Sequence, residues 1–364
     1  MATDLSMRPR LDDTGQDEKR RKVGVAQKMR AAVVHRFGEP LSIDELPVPE
    51  PGPGEIVVKL VATGVCHTDL HAARGDWAVK PSLPLVPGHE GVGYVAALGA
   101  GVTHVKEGDV VGVPWLHDAC GNCEYCETGW ETLCPAQHNT GYSVNGTYAE
   151  YVLANGDFVG HLPANSNLEE IAPILCAGVT TYKGLKETEA RAGEWVAISG
   201  IGGLGHVAVQ YAKAMGFQVA AIDVHEAQLE LARQLGADIA IDARNAESVK
   251  QLVKQTGGMH GVLVTAVSTN AFSQAIGIAR RKGTVVLNGL PPGDFPTPVL
   301  PVVLKRITIR GSIVGSRQDL AEALEFAAAG KVRAKVSVEP LEAVNDVFVR
   351  MEAGQVSGRV VLRL

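Results

Sequence analysis

Four cysteines, Cys120, Cys123, Cys126 and Cys134, follow the pattern C-x2-C-x2-C-x7-C and constrain this chain more than any other feature. The residues between them, Glu124, Tyr125 and 127–133, carry little apolar material that could hold the segment in shape. Four thiolates in so short a stretch can close the tetrahedral sphere of a Zn²⁺ ion, and the metal then supplies the missing cohesion. The competing readings are unliganded thiols and two disulfides. Six Cys in 364 residues are too few and too clustered for a secreted disulfide framework, which favours a metal in a reducing, cytoplasmic compartment. His117 stands close by but is superfluous to a complete set of four. A structural zinc lobe is therefore expected over residues 117–135.

The other two cysteines, Cys66 and Cys176, lie far apart. Cys66 opens the run Cys66-His67-Thr68-Asp69-Leu70-His71, which gathers a thiol, two imidazoles, a hydroxyl and a carboxylate. Between the two cysteines stands Gly88-His89-Glu90-Gly91. Two thiolates and one imidazole would leave a fourth zinc position open, as catalysis requires, but spacing alone does not join these three residues.

The chain around these residues divides in two. Residues 1–28 are polar, mix both charge signs and lack an apolar period, so a disordered tail is expected. Within it Lys19-Arg20-Arg21-Lys22 reads as a solvated patch, and Asp12, Asp13, Asp17 and Glu18 oppose a mitochondrial presequence. From Ala31 to about Phe158, short apolar runs bounded by Gly and Pro indicate antiparallel strands: 56–61, 91–95, 110–113 and 148–152. From Ala177 to about Ser316 such runs alternate with helical stretches, the signature of a parallel sheet covered on both faces. A helix over 320–329 and a strand over 359–362 are expected to return to the first domain. The limits are 29–178 with 319–364 for one domain and 179–318 for the other. No apolar run approaches the roughly 20 residues needed to cross a bilayer. A net charge of −6 leaves no basic excess for a nucleic-acid partner.

Inside the alternating half, Gly200-Ile201-Gly202-Gly203-Leu204-Gly205 follows an apolar strand and opens a helix. In that context G-x-G-x-x-G marks a dinucleotide site. Gly200 makes the tight turn, Gly202 admits the pyrophosphate, and Gly205 lets helix and strand pack closely. The next strand ends at Asp223, where a carboxylate meets the adenosine ribose and repels a 2′-phosphate, so NAD rather than NADP is expected. The competing reading of Asp223 is a simple turn residue at a strand end.

These motifs, with Cys176-Ala177-Gly178-Val179-Thr180-Thr181-Tyr182, Gly141-Tyr142-Ser143-Val144-Asn145-Gly146 and Gly311-Ser312-Ile313-Val314-Gly315-Ser316, occur in an order that resembles the zinc-containing alcohol dehydrogenases of the medium-chain dehydrogenase/reductase superfamily. The bacterial and yeast NAD-dependent members are the nearest in kind, from about Met29 onward. The resemblance implies an α/β protein, a GroES-like β-barrel catalytic domain plus a Rossmann doubly wound cofactor domain. It implies two Zn²⁺ per chain, with Cys66, His89 and Cys176 on the catalytic one and Glu90 a transient ligand. Asp69 would orient His89. Thr68 would receive the alcohol proton and His71 pass it to solvent through the cofactor ribose. His67 would lie near the pyrophosphate, Thr180 near the nicotinamide, and Arg359 on a phosphate or merely at the surface. Trp77 and Trp115 would narrow the substrate cleft to ethanol through butanol and their aldehydes. Polyol, cinnamyl and formaldehyde dehydrogenases are the competing assignments. Relatives often carry a Lys where this chain has Gln228, which removes one adenosine contact. By analogy the chain forms a homotetramer, with residues 300–313 supplying a sheet edge.

Overall fold

The computed structural model describes residues 27–364. Most of the expected tail lies outside them, but Lys28 belongs to the first strand, Lys28–Val33, which pairs antiparallel with Ser42–Pro47. The folded part thus starts earlier than composition suggested, because Lys28 is one of the outward-facing residues of an alternating strand.

The first domain is built on one long strand, Glu55–Val65. Gly91–Leu98 lies along one edge of it, and the other edge is shared between Tyr151–Asn155 and the C-terminal strand Arg359–Arg363. Val110–Val113 and Gly160–His161 extend the sheet on one side, and Val336–Pro340 adds to Arg359–Arg363 on the other. All these pairings are antiparallel except the last. Register shifts between Glu55–Val65 and Gly91–Leu98 bend the sheet around Ile56, Val58, Val95, Val111 and Val152. The strand expected at 148–152 is displaced to 151–155. Tyr148 instead turns inward, its carbonyl accepting from the Ala32 amide and its hydroxyl reaching Asp69.

The second sheet is wholly parallel, in the order Ile239–Asp242, Gln218–Asp223, Trp195–Ser199, Met259–Val264, Ala279–Leu287, Thr308–Gly311. Chain order reverses beside Trp195–Ser199, between Gln218–Asp223 and Met259–Val264, and ligands of such sheets bind outside the strand ends at that switch. Apolar residues cover both faces, in two clusters that include Val196, Ile198 and Leu263 on one side and Ala197, Ala220 and Val262 on the other. Thr308–Gly311 is an outer strand, and the Val299–Lys305 helix before it exposes Val299, Leu300, Val303 and Leu304.

The last helix expected between the domains begins at Arg317, not Leu320, and ends at Ala328. Ser316 caps it by accepting from the Asp319 amide, and the Asp319 carboxylate accepts from the Ser316 amide in return. The limit expected at 318/319 therefore falls inside a helical turn.

Candidate active site and cysteine lobe

The long strand delivers Val65 and then Cys66, whose extended backbone starts the His67–Arg74 helix. Asp69, in the first turn of that helix, is 1% exposed yet carries a carboxylate, so its oxygens require donors. It has four. Oδ2 accepts from the Cys66 amide at 2.9 Å and the Tyr148 hydroxyl at 2.8 Å. Oδ1 accepts from the Gly88 amide at 3.2 Å and His89 Nδ1 at 2.7 Å. One carboxylate thus ties together three separated segments. Because Nδ1 of His89 is engaged, Nε2 is the nitrogen left to act as a ligand.

Cys176 arrives from the other domain's side, as the cap of the Ala177–Glu187 helix. The ligand atoms of Cys66, His89, Glu90 and Cys176 all lie within 4.8 Å of one another, and all four residues are buried. Glu90 finds room only because position 64 is glycine: a Cβ there would sit 1.8 Å from Glu90 Oε2. Its other oxygen pairs with the Arg359 guanidinium, whereas Oε2 is buried without a hydrogen-bond partner among the described residues. Burial pushes the Glu90 carboxyl up to about 6, with Arg359 opposing. The Cys176 thiol, then His89 and Arg359, favour the thiolate of Cys66 and hold it well below the usual thiol range. Burial alone would lower His89, but the Asp69 carboxylate outweighs it and raises the imidazole. A buried group of two sulfurs, one ring nitrogen and an unpartnered carboxylate oxygen fits a Zn²⁺ ion.

Arg359 is not a surface residue. It is buried, and a Cβ on Gly203 would lie 3.1 Å from its Cδ, so the side chain runs from Glu90 to beneath the glycine turn. In that turn Gly200 has φ +94°, and a Cβ on Gly205 would fall 1.8 Å from the Gly200 carbonyl. Nothing lies within 4 Å of a Cβ built on Gly202, which leaves its face open to a pyrophosphate. Leu204 begins the Gly205–Ala214 helix. Asp223 closes the turn from the next strand: it accepts from the Ile201 amide at 2.6 Å, the Val224 amide at 2.7 Å and the His225 amide at 2.9 Å. The turn role weighed for Asp223 is thus present in the structure. The donors and open face fit a dinucleotide.

The four sulfurs of Cys120, Cys123, Cys126 and Cys134 also lie within 4.8 Å of one another, and no cysteine of the six is in a disulfide. Cys123 and Cys126 are 3.5 Å apart, and Cys120 and Cys126 are 4.0 Å apart. Tetrahedral Zn–S bonds of ~2.3 Å put sulfurs ~3.8 Å apart, so this group fits zinc as well. His117 is buried nearby with Nδ1 unpartnered and outside the set.

Two family models cover much of this architecture: the alcohol dehydrogenase GroES-like domain matches residues 52–164, and zinc-binding dehydrogenase matches 203–329. The alcohol dehydrogenase of Rhizobium meliloti is 63% identical over 336 residues, which span 92% of this chain and 99% of the relative. The chain belongs to the zinc-containing alcohol dehydrogenases.

Its fold is that of the family, a GroES-like domain joined to a Rossmann-type parallel sheet. The alcohol dehydrogenase of Aeropyrum pernix superposes with a TM-score of 0.84 at 35% identity, over 92% of this chain and 100% of that one. The acetophenone reductase of Geotrichum candidum, solved in complex with NAD, gives 0.83 at 29%, over 93% of this chain and 98% of that one. Among the described residues no helix of this dehydrogenase is long and apolar enough to cross a membrane.

Around the family's site, Trp115 stands edge-on to the His89 ring, with centroids 5.2 Å apart. Tyr142 bridges Trp115 at 5.8 Å and Trp77 at 5.2 Å, and Trp77 is 5.8 Å from His71. The two tryptophans therefore share one wall with an aromatic that sequence reading quoted only as part of a run. His71 Nδ1 is 2.8 Å from Asp76 Oδ2, and among the described residues no hydrogen bond joins Thr68 to His71. His67 is exposed at the start of its helix, and Thr180 is buried one turn after Cys176. Sequence reading missed the work of Gly64, Tyr142 and Tyr148. For Gly64 the only signal was a glycine directly before the Val65-Cys66 pair.

Proposed function

We propose that this dehydrogenase reversibly oxidises small primary alcohols, ethanol to butanol, to aldehydes with NAD, using two zinc ions per chain. The observation that carries the reading is the convergence of Cys66, His89, Glu90 and Cys176 within 4.8 Å. A bound Zn²⁺ supplies Lewis acidity toward an alcohol or carbonyl oxygen, and a bound nicotinamide supplies the hydride acceptor. Cys66, His89 and Cys176 hold the catalytic ion, Glu90 is its transient fourth ligand, and Cys120, Cys123, Cys126 and Cys134 hold the structural one. Asp69 keeps His89 in its ligating tautomer.

Thr68 Oγ1 would accept the alcohol proton, and His71 would hand it to solvent. The Asp76 carboxylate on His71 Nδ1 supports that role by fixing the ring, which leaves Nε2 as the free ring nitrogen. The backbone of Gly200, Gly202, Gly203, Leu204 and Gly205 cradles the pyrophosphate, with His67 and Arg359 beside it. Thr180 lies along the nicotinamide, and Asp223 receives the adenosine ribose. Trp77 and Trp115, braced by Tyr142, exclude water and bulky substrates from the cleft. The exposed apolar helix Val299–Lys305 beside the outer strand Thr308–Gly311 supports pairing of cofactor domains in a cytoplasmic homotetramer.

Metal analysis together with steady-state kinetics tests the reading. Two zinc ions per chain are expected, with kcat/KM highest for short primary alcohols and with NAD⁺ preferred. Trp77→Leu is expected to shift the preference toward longer alcohols. One zinc per chain, or faster turnover of polyols, would overturn the assignment.

A further inference from the structure

The cysteine lobe does more than hold itself together. Glu131, between Cys126 and Cys134, is buried although ionisable, and its partner comes from a different part of the chain. Its Oε1 accepts from the backbone amide of Arg317 at 2.7 Å. The Arg317 guanidinium embraces the same carboxylate, Nε at 3.0 Å and Nη2 at 2.9 Å from Oε2. The same guanidinium lies over the Phe158 ring at 4.3 Å. A carboxylate bonded to the first amide of a helix and to a two-pronged guanidinium is held in one geometry, which a flexible surface pair is not. Beside it, Lys183 of the Ala177–Glu187 helix lies 4.5 Å over the Trp130 ring of the lobe. The lobe is therefore fastened to the Ala177–Glu187 and Arg317–Ala328 helices.

What lies next to Arg317 gives this contact its meaning. Residues 312–316 cross from the end of the outer strand Thr308–Gly311 to the Arg317–Ala328 helix. Val314 there has φ +38°, a left-handed backbone that a β-branched residue adopts only where its surroundings impose it. A Cβ on Gly315 would lie 2.6 Å from Val179, which stands between Cys176 and Thr180, so the crossover presses on the helix that carries both. Val314, Gly315, Ser316 and Arg317 line a narrow cleft whose other walls include Trp115, Leu175 and Val179. The crossover thus leaves the carboxyl end of the parallel sheet, the end of such sheets at which dinucleotides bind, on the side of Val179 and Thr180, and the Ser316–Asp319 cap and the Glu131 carboxylate hold its far end.

We propose that Glu131 and Arg317 are positioning residues that set residues 312–316 against the cofactor cleft, so that the cysteine lobe governs NAD binding from a distance. The proposal rests on the NAD reading above. Glu131→Gln keeps the size of the side chain and the Phe158 contact of Arg317, whereas Arg317→Met removes the whole fork. In the zinc-loaded enzyme, each is expected to raise the Kd for NAD⁺ by titration calorimetry, and its KM, by about tenfold, a usual size for coupling between sites. Changes in kcat are expected to stay within about twofold, with zinc content at the wild-type value. The double variant is expected to be no worse than the worse single one, because both remove the same contact. Wild-type Kd in both single variants, losses that multiply in the double variant, or loss of zinc accompanying the weaker binding would overturn the proposal. Should the wild-type protein bind neither NAD⁺ nor NADP⁺, the cofactor reading itself fails. Amide hydrogen exchange over 312–320 then decides: faster exchange in both variants upholds the positioning role, and unchanged exchange rejects it.

Discussion

Asp69→Asn removes almost no volume and one charge, which makes it the sharpest probe of how the site is assembled. In the variant one oxygen can still face the Gly88 amide and His89 Nδ1, while the new amide group replaces Oδ2. The Tyr148 hydroxyl can rotate and accept from that amide group, but the Cys66 backbone N–H cannot, and it is left buried without an acceptor. An orphaned buried donor costs about 1–3 kcal/mol, and exchanging charge-assisted bonds for neutral ones at His89 and Gly88 adds roughly 1 kcal/mol more. A total of about 3 kcal/mol lowers Tm by about 6–12 °C for a domain of this size. Loss of the carboxylate behind a ligating imidazole also weakens metal binding by about ten- to a hundredfold. Differential scanning calorimetry and zinc titration against a competing chelator measure the two effects. A Tm within about 2 °C of wild type, with zinc affinity unchanged, would show that Asp69 does not hold the three segments together.

Two other outcomes follow from single contacts. Burial holds the His206 imidazole down at about 4, with Arg359 and Lys335 nearby adding to the shift and the Gly202 carbonyl opposing it. Neutral His206 donates from Nδ1 to the Gly202 carbonyl at 2.9 Å and accepts at Nε2 from the Lys335 amide at 3.0 Å, joining the glycine turn to the catalytic domain. The unfolded chain takes up the proton first as pH falls, so this contribution is complete above about pH 6.5 and is lost toward pH 4, about 3 kcal/mol in all. The gap between the denaturant midpoints of wild type and His206→Gln is expected to change across that range, wild type losing stability as pH falls from about 6.5 to 4 and the variant keeping the flatter profile; parallel profiles would refute it. Asp223→Ala is expected to raise the NADP-to-NAD ratio of kcat/KM about tenfold or more, since a charged acceptor contributes about 1.5–3 kcal/mol per hydrogen bond. An unchanged ratio would reduce Asp223 to its observed contacts with the Ile201, Val224 and His225 amides.

Local chemistry was legible in the sequence wherever ligands or glycines are neighbours in the chain. The cysteine lobe could be read because its sulfurs are close in the chain and lie within 4.8 Å in space. The glycine turn could be read because strand, turn and helix are consecutive, as Trp195–Ser199 and Gly205–Ala214 bear out. Alternating apolar runs likewise announced the parallel sheet. Where periodicity was weak, the reading slipped: the Arg317–Ala328 helix began earlier because its signal was a cap, and Tyr148 left its strand to reach Asp69.

By itself, then, the sequence determined which residues have metal-binding and nucleotide-binding chemistry and in what order the chain lays them down. Only the tertiary structure decided that Cys66, His89 and Cys176 meet, that Arg359 turns inward to Glu90, and that Glu131 reaches Arg317. The reason is physical. A buried charge is tolerated only beside an opposite charge or enough donors, and in each case the partner comes from a remote segment, out of reach of any spacing rule.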